Sequence, residues 1–238
     1  MVYKPQRKVS TEWSSNLAYA IGLLASDGNL SNDGRHISFK SADKELVETF
    51  KSTLNLKNTV GKSARGGEQI KKYFYVGFVD IVFYSFLNRI GLTSAKSKTI
   101  KSVDVPEKFF RDFLRGLFDG DGTFYTFWDT RWPNSFAFKI AFASASIAFV
   151  KWLKEKLSQR YAVRGYTHKG AGVFNLEYSK GDTKILFATM YYQDGLPCLE
   201  RKYLKLKNAF KKDSIFGLAY LQKQRIGKPT NICTKTPR

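Results

Sequence analysis

Cysteine is nearly missing from this chain. Cys198 and Cys233 stand far apart and outside any CxxC spacing. That argues against a disulfide framework and a zinc knuckle, and a reducing intracellular compartment fits. Histidine is as scarce, with only His36 and His168, neither in a ligand pattern. That disfavours zinc enzymes, HNH-type nucleases and serine or cysteine hydrolases, which need a base beside the nucleophile. No apolar run approaches the roughly 18 residues that would span a bilayer. The basic N-terminus MVYKPQRKVSTEW lacks the apolar core of a secretory signal. An intein is disfavoured too, since no Cys or Ser opens the chain and no His-Asn closes it. Acids are the last shortage: 20 Asp and Glu face 40 Lys and Arg, and none occurs from Ser214 onward.

The resulting formal charge of +20 is informative about partners. Such an excess opposes compaction by self-repulsion unless a polyanion sits against it. The basic residues recur from Lys4 to Arg238 among apolar segments. This pattern predicts folded basic surfaces of the kind a phosphate backbone needs, and a merely soluble basic protein is the alternative.

The chain also repeats itself. AIGLLASDG (Ala20 to Gly28) matches LRGLFDGDG (Leu114 to Gly122) at a displacement of 94 residues. ISFKSAD from Ile37 is echoed by IAFASAS from Ile140, displaced by 103, and Gly91-Leu92 with Lys98 by Gly195-Leu196 with Lys202, displaced by 104. Three echoes in one order predict a duplicated unit of about 100 residues. The extra residues of the second copy fall between Gly122 and Ile140. The halves are expected at 1–104 and 105–213, followed by a basic tail at 214–238.

Each copy carries the same pattern of periods. Pro106-Glu107 suits a helix start with Pro at the first helical position, and Phe109, Phe110, Phe113, Leu114, Leu117 and Phe118 recur at helical spacing. Phe136, Phe138, Ile140 and Phe142 then alternate with Ala137, Lys139, Ala141 and Ala143, and Lys72, Phe74 and Val76 with Tyr73, Tyr75 and Gly77. Further helical patterns span about 43–54, 80–90, 147–159, 182–192 and 200–212. The order is helix, strand pair, helix, strand pair, helix, twice over.

Asp27 and Asp121 end the paired motif. A calcium loop fails: counted from Asp119, Phe124 and Thr130 stand where Gly and Glu belong, and from Asp27, Asn32 and Ser38. A helix stop at Gly122 is the simple reading, since Gly is the usual residue past a helix end. An acid there is unfavourable against the helix dipole, so both ends need compensation, and a divalent cation is the simplest. Gly22 with Ser26 and Gly116 with Gly120 form small-xxx-small ridges that let two helix backbones approach. Packed there, the helices would bring Asp27 and Asp121 together beside a metal. The chemistry suggested is metal-assisted attack of water on phosphodiesters.

These paired motifs resemble those of the LAGLIDADG homing endonucleases in their monomeric, two-motif form. LRGLFDGDG matches strongly; AIGLLASDG departs at Ala25 but keeps its Asp-Gly. The resemblance covers nearly the whole chain, including Ser97-Lys98-Thr99. It implies an α+β fold of two pseudo-twofold-related αββαββα units, with antiparallel sheets forming a DNA-binding saddle. It also implies a Mg²⁺-dependent endonuclease that cuts both strands and leaves 3′ overhangs, with Mn²⁺ substituting and Ca²⁺ supporting binding without cleavage. Asp27 and Asp121 would then hold metal, with the Ser26 and Gly120 carbonyls as further ligands. Lys98 and Lys202 would line basic pockets, with Lys40 and Lys44 beside the first. The repeat offset puts Ala143 and Ile147 opposite these last two, so either Lys139 substitutes or one strand is cut more slowly.

The expected partner is a long, asymmetric duplex site of about 20 bp. DNA-binding candidates in the first half are Asn29, Asn32, Arg35, Ser38, Lys40, Arg65, Gln69, Lys71, Lys72, Tyr73 and Tyr75. In the second they are Tyr125, Arg131, Trp132, Asn134, Lys139, Arg164, Tyr166, His168, Asn175 and Glu177. Strand alternation lets one face read DNA while the other packs on helices. Other aromatics are expected in the core. The rival reading is an RNA maturase or DNA-binding regulator on the same scaffold, and a third combines cleavage with splicing of a host intron. The basic tail is compatible with RNA binding.

Overall fold

Two copies of one αββαββα unit meet along their first helices. The computed structural model describes residues 8–64, 70, 72–130 and 135–226, with side chains as far as 216. The first unit comprises α1 (Ser15–Asp27), β1 (Gly28–Leu30), β2 (His36–Ser41), α2 (Lys44–Thr53), β3 (Gly61–Ser63), β4 (Tyr73–Val79) and α3 (Ile81–Arg89), then a short α4 (Lys96–Thr99). The second comprises α5 (Phe110–Asp121), β5 (Thr123–Trp128), β6 (Phe136–Ser144), α6 (Ile147–Tyr161), β7 (Tyr166–Lys169), β8 (Phe174–Tyr178) and α7 (Lys180–Met190), then α8 (Glu200–Ile226). Both sheets are antiparallel, ordered β1-β2-β4-β3 and β5-β6-β8-β7. The extra residues of the second copy lengthen one hairpin: β5 has 6 residues against 3 in β1, and β6 has 9 against 6 in β2.

Alternation sets the two sides of each sheet. Ile37, Phe39, Val76 and Phe78 are buried under helices, as are Phe136, Phe138, Ile140 and Phe142. The intervening residues form an open face. Phe39 stacks on Phe50 of α2 at 4.7 Å, and Phe138 meets Phe210 of α8 at 5.1 Å. Trp13 touches Phe86 of the first unit and Phe109 at the entrance to the second.

Three local expectations change. Pro106 precedes a 3-10 turn, Glu107–Phe109, rather than opening α5 itself. Glu107 there anchors Lys156 and Arg160 of α6. Gly28 and Gly122 end their helices in extended backbone, with φ of -74° and -68°, not in the left-handed conformation of a usual glycine stop. Their lack of a side chain serves proximity: a Cβ would stand 2.6 Å from Leu24 O and 2.4 Å from Phe118 O. The third change is at 213, where the expected tail begins. Helix α8 passes that boundary and runs to Ile226, held to α7 by Asp213, which pairs with Lys180 and Lys184.

Candidate metal centre and nucleic-acid interface

Helix α1 starts where the Ser14 hydroxyl accepts from the Leu17 amide, and residues 17 to 25 are all buried. It can bury every side because α5 lies against it without side chains between the backbones. A Cβ on Gly22 would stand 2.2 Å from Phe113 O, one on Gly116 2.0 Å from Tyr19 O, and one on Gly120 1.9 Å from Ser26 Oγ. The two ridges therefore interlock as their spacing predicted, and the C-termini of α1 and α5 emerge together.

Asp27 and Asp121 stand at those termini. Each keeps a solvent-exposed side while protein crowds the rest. Burial raises both carboxyls, and for Asp27 the neighbouring Asp121 charge adds, taking it to about 7. Lys96 and Lys202 oppose the rise at both acids. Two close carboxylates that resist ionising are a pair that a cation would relieve.

Compensation of the helix ends comes first from lysines. Lys202 Nζ donates to the carbonyls of Phe118, Asp119, Gly120 and Gly122 at 2.6–3.1 Å. Lys96 Nζ donates to Gly28 O at 2.7 Å and Ser26 O at 3.3 Å. Burial lowers both ammoniums, Lys202 to about 8 against the pull of Asp119. The first-half counterpart of Lys202 is thus Lys96, not Lys98, which is exposed on α4. The fixed offset selected the wrong lysine of Lys-Ser-Lys; a requirement that the residue reach a buried helix end, with Ile100 as the next buried position, favours Lys96. Lys40 is engaged elsewhere, donating to Ala64 O at 2.7 Å and lying over the Tyr73 ring. Lys139 is likewise taken, by Glu177 at 3.1 Å. Lys44 starts α2 and is exposed.

Asp119 has a different job, consistent with its lack of an acidic partner at Ala25. It is fully buried, and accepts from Tyr19 OH of α1, from the Leu199 amide before α8 and from Tyr191 OH. Burial raises it to about 6 despite these donors. Close by, Arg115 is completely buried, paired with Asp112 and donating to Met190 O and Pro197 O. This network bonds α5 to α1 and to the α7–α8 connection.

Two carboxylates with helix-end carbonyls beside them are hard oxygen donors of the kind a divalent cation takes. Among the described residues no group of three or more His, Cys, Asp and Glu gathers, so protein supplies two carboxylates at most. Mg²⁺ accepts such a site, keeping water and using substrate phosphates as its other ligands. Each carbonyl oxygen of Ser26 and Gly120 has a second lone pair beyond the one its lysine uses.

The open faces hold most of the candidate contacts. On the first sheet, register brings Asn29 beside Ser38 and Lys40 beside Tyr75, and Tyr73 lies on the same side. Asn32 and Arg35 are exposed in the β1–β2 turn, where Arg35 pairs with Asp33; Lys72 is exposed just before β4. On the second sheet Tyr125, Lys139, His168, Asn175 and Glu177 share the face with Tyr166, which is 69% exposed. Arg164 is exposed just before β7. Exposed Phe127 and Trp128, expected in the core, are further aromatic surface at the tip of the longer hairpin. Arg65, Gln69, Lys71, Arg131, Trp132, Asn134 and the stretch from 227 to 238 lie outside the described residues.

No family model matches the chain. Over 129 residues it is 25% identical to the uncharacterised protein MJ0314 of Methanocaldococcus jannaschii, covering 52% of this chain and 47% of that one. The chain thus spans about half the length of the curated relative it matches. Among solved structures, the homing endonuclease I-GzeII in complex with its DNA target superposes with a TM-score of 0.59 at 11% identity, over 94% of this chain and 100% of that one. The meganuclease I-SmaMI bound to DNA gives 0.59 at 13%, over 90% and 92%. Full-length DUF199/WhiA from Thermatoga maritima gives 0.52 at 13%, over 91% and 69%. At these identities the likeness is one of fold, and the fold is that of a two-motif LAGLIDADG protein.

Proposed function

We propose that this chain, built on the two-motif LAGLIDADG fold, is a site-specific endonuclease that hydrolyses both strands of duplex DNA. The observation that carries the reading is the pair Asp27 and Asp121, brought together by interlocked glycines and kept open to water. A scaffold that only bound nucleic acid would gain nothing from two acids facing a phosphate backbone. A bound Mg²⁺ would activate water and neutralise charge developing on the phosphate. Asp27 and Asp121 are the residues that would hold it. Lys96 and Lys202 orient the carbonyls of both helix ends and keep positive charge within the acids' reach. The open sheet faces grip the duplex, with polar side chains directed at base edges and phosphates. Mn²⁺ substitutes for Mg²⁺, Ca²⁺ supports binding without cutting, and the chain acts as a monomer on a site of about 20 bp.

The likeness to DUF199/WhiA keeps one rival alive, a binding protein on the same scaffold. One experiment separates the two: sites cleaved from a randomised duplex library in Mg²⁺ are selected for the unmodified chain, Asp27→Asn and Asp121→Asn. Loss of double-strand cleavage in both variants, with binding retained, is the expected result. Undiminished cutting by either variant, or in chelator, would sink the nuclease mechanism. Tight, sequence-selective binding with no cutting by the unmodified chain would favour the regulator.

A further inference from the structure

Among all eight described strands there is one acid, Glu177 in β8. It lies on the open face of the second sheet, where the proposed function puts the DNA backbone. A carboxylate there weakens phosphate binding, so its position calls for a use. Its surroundings are built: every strand of the sheet contributes one partner. Lys139 of β6 holds Oε2 at 3.1 Å, His168 Nε2 of β7 stands 3.7 Å from Oε1, and the Tyr125 hydroxyl of β5 donates to the carboxylate. Burial works to raise Glu177, but these partners outweigh it and hold the acid below its usual range, hence ionised. Ala137, Ala141 and Ala143 flank the cluster on the same face, so β6 carries nothing that overhangs it.

An ionised carboxylate only accepts hydrogen bonds, with about four acceptor directions, and an ammonium only donates. In the major groove the base donors are the exocyclic amines, and glutamate characteristically takes the cytosine N4, while lysine takes guanine O6 and N7. In a C·G pair those groups lie side by side. An acceptor and a donor held 3.1 Å apart match that edge. An A·T pair also sets a donor, adenine N6, beside an acceptor, thymine O4, but it puts the thymine methyl where guanine N7 would be the lysine's second acceptor.

We infer that Glu177 and Lys139 together read one C·G base pair in the half-site facing the second unit, Glu177 accepting from cytosine N4 and Lys139 donating to guanine. This rests on the DNA-binding reading above. The first sheet has no acid on any strand, and Gly77 stands at the matching place in β4. The preference therefore belongs to one half-site only.

The test selects bound, uncleaved duplexes from a randomised library in Ca²⁺, with the unmodified chain, Glu177→Gln and Lys139→Met. The unmodified chain should enrich C·G at one position of one half-site. Both variants should lose that preference by about tenfold or more at the same position, leave other positions unchanged, and Glu177→Gln should bind random DNA at least as tightly. Unchanged site profiles in both variants, or A·T enrichment at the affected position, would overturn the inference while leaving the nuclease reading intact. Loss of cleavage with these site profiles as described would do the reverse. No sequence enrichment at all by the unmodified chain would overturn both.

Discussion

A single methyl group at Gly116 tests whether the acids owe their meeting to glycine. The added Cβ would stand 2.0 Å from Tyr19 O and 3.1 Å from Leu23 N, both backbone atoms that cannot give way singly. Gly116→Ala is expected to lower unfolding free energy by about 3 kcal/mol, at the upper end of overpacking costs. Gly181→Ala is the control, since nothing lies within 4 Å of that Cβ in α7; it should be neutral or stabilising by about 0.5 kcal/mol. Urea midpoints measure both, and equal midpoints for the two variants would contradict the close helix approach. At this scale much was legible beforehand: the ridge residues, Asp27 and Asp121 all follow from spacing. Lys96 was not, because a lysine side chain is long enough that either Lys96 or Lys98 satisfies the pattern. Only the depth of the α1 end selects between them.

Elements are joined by a few buried carboxylates, and Asp80 shows what one does. It caps α3 by accepting from the Phe83 amide, and its other oxygen accepts from the Lys8 and Val9 amides. The segment before α1 is thereby strapped to the outer end of the first sheet, and Val9 enters the core. Asp80→Ala is expected to cost about 2–3 kcal/mol, a lost cap plus the orphaned buried amide of Val9 and the part-buried one of Lys8. Amide exchange checks the mechanism: the Lys8 and Val9 protons should lose protection before those of α3's later turns. Uniform loss across the molecule would mean that Asp80 holds the whole fold rather than the strap. The order of elements was readable from periods alone. The reach of α8 was not, since the absence of acids from Ser214 onward reads as a basic tail, whereas the helix passes that point and sets Phe216 against Trp128.

For the whole molecule, charge placement sets a pH dependence. Asp27 and Asp119 have folded values raised to about 7 and about 6. An acid raised on folding leaves the native state holding more protons than the unfolded one, so stability increases as pH falls through that window. Asp33, Asp43 and Asp213 are shifted the other way by His36, Arg201 and the Lys180–Lys184 pair; their contribution is present near neutrality and lost only at low pH. In chelator, melting temperature should therefore climb from about pH 8 to about pH 5 and fall below about pH 4. Asp27→Asn should flatten the climb. A melting temperature highest at pH 8 would show that burying these acids, with the repulsion of Asp27 by Asp121, does not burden the fold.

Read by itself, the chain determined its duplication, its strand pairs, its helix-to-helix seam and the acid pair, because period, spacing and glycine placement are local properties of a sequence. The antiparallel sheets came from the family resemblance of the motifs. The tertiary structure alone decided which lysines cap α1 and α5, what Asp119 binds, and which partners surround Glu177. Those depend on contacts between side chains and backbone from different elements, 70 residues apart from Lys96 to Ser26 and 82 from Lys202 to Gly120. There side-chain reach and burial choose among residues that spacing leaves equivalent. The motif LRGLFDGDG thus announced Asp121 in advance, but its companion Asp119 acquired a role only when Tyr19 and Leu199 closed around it.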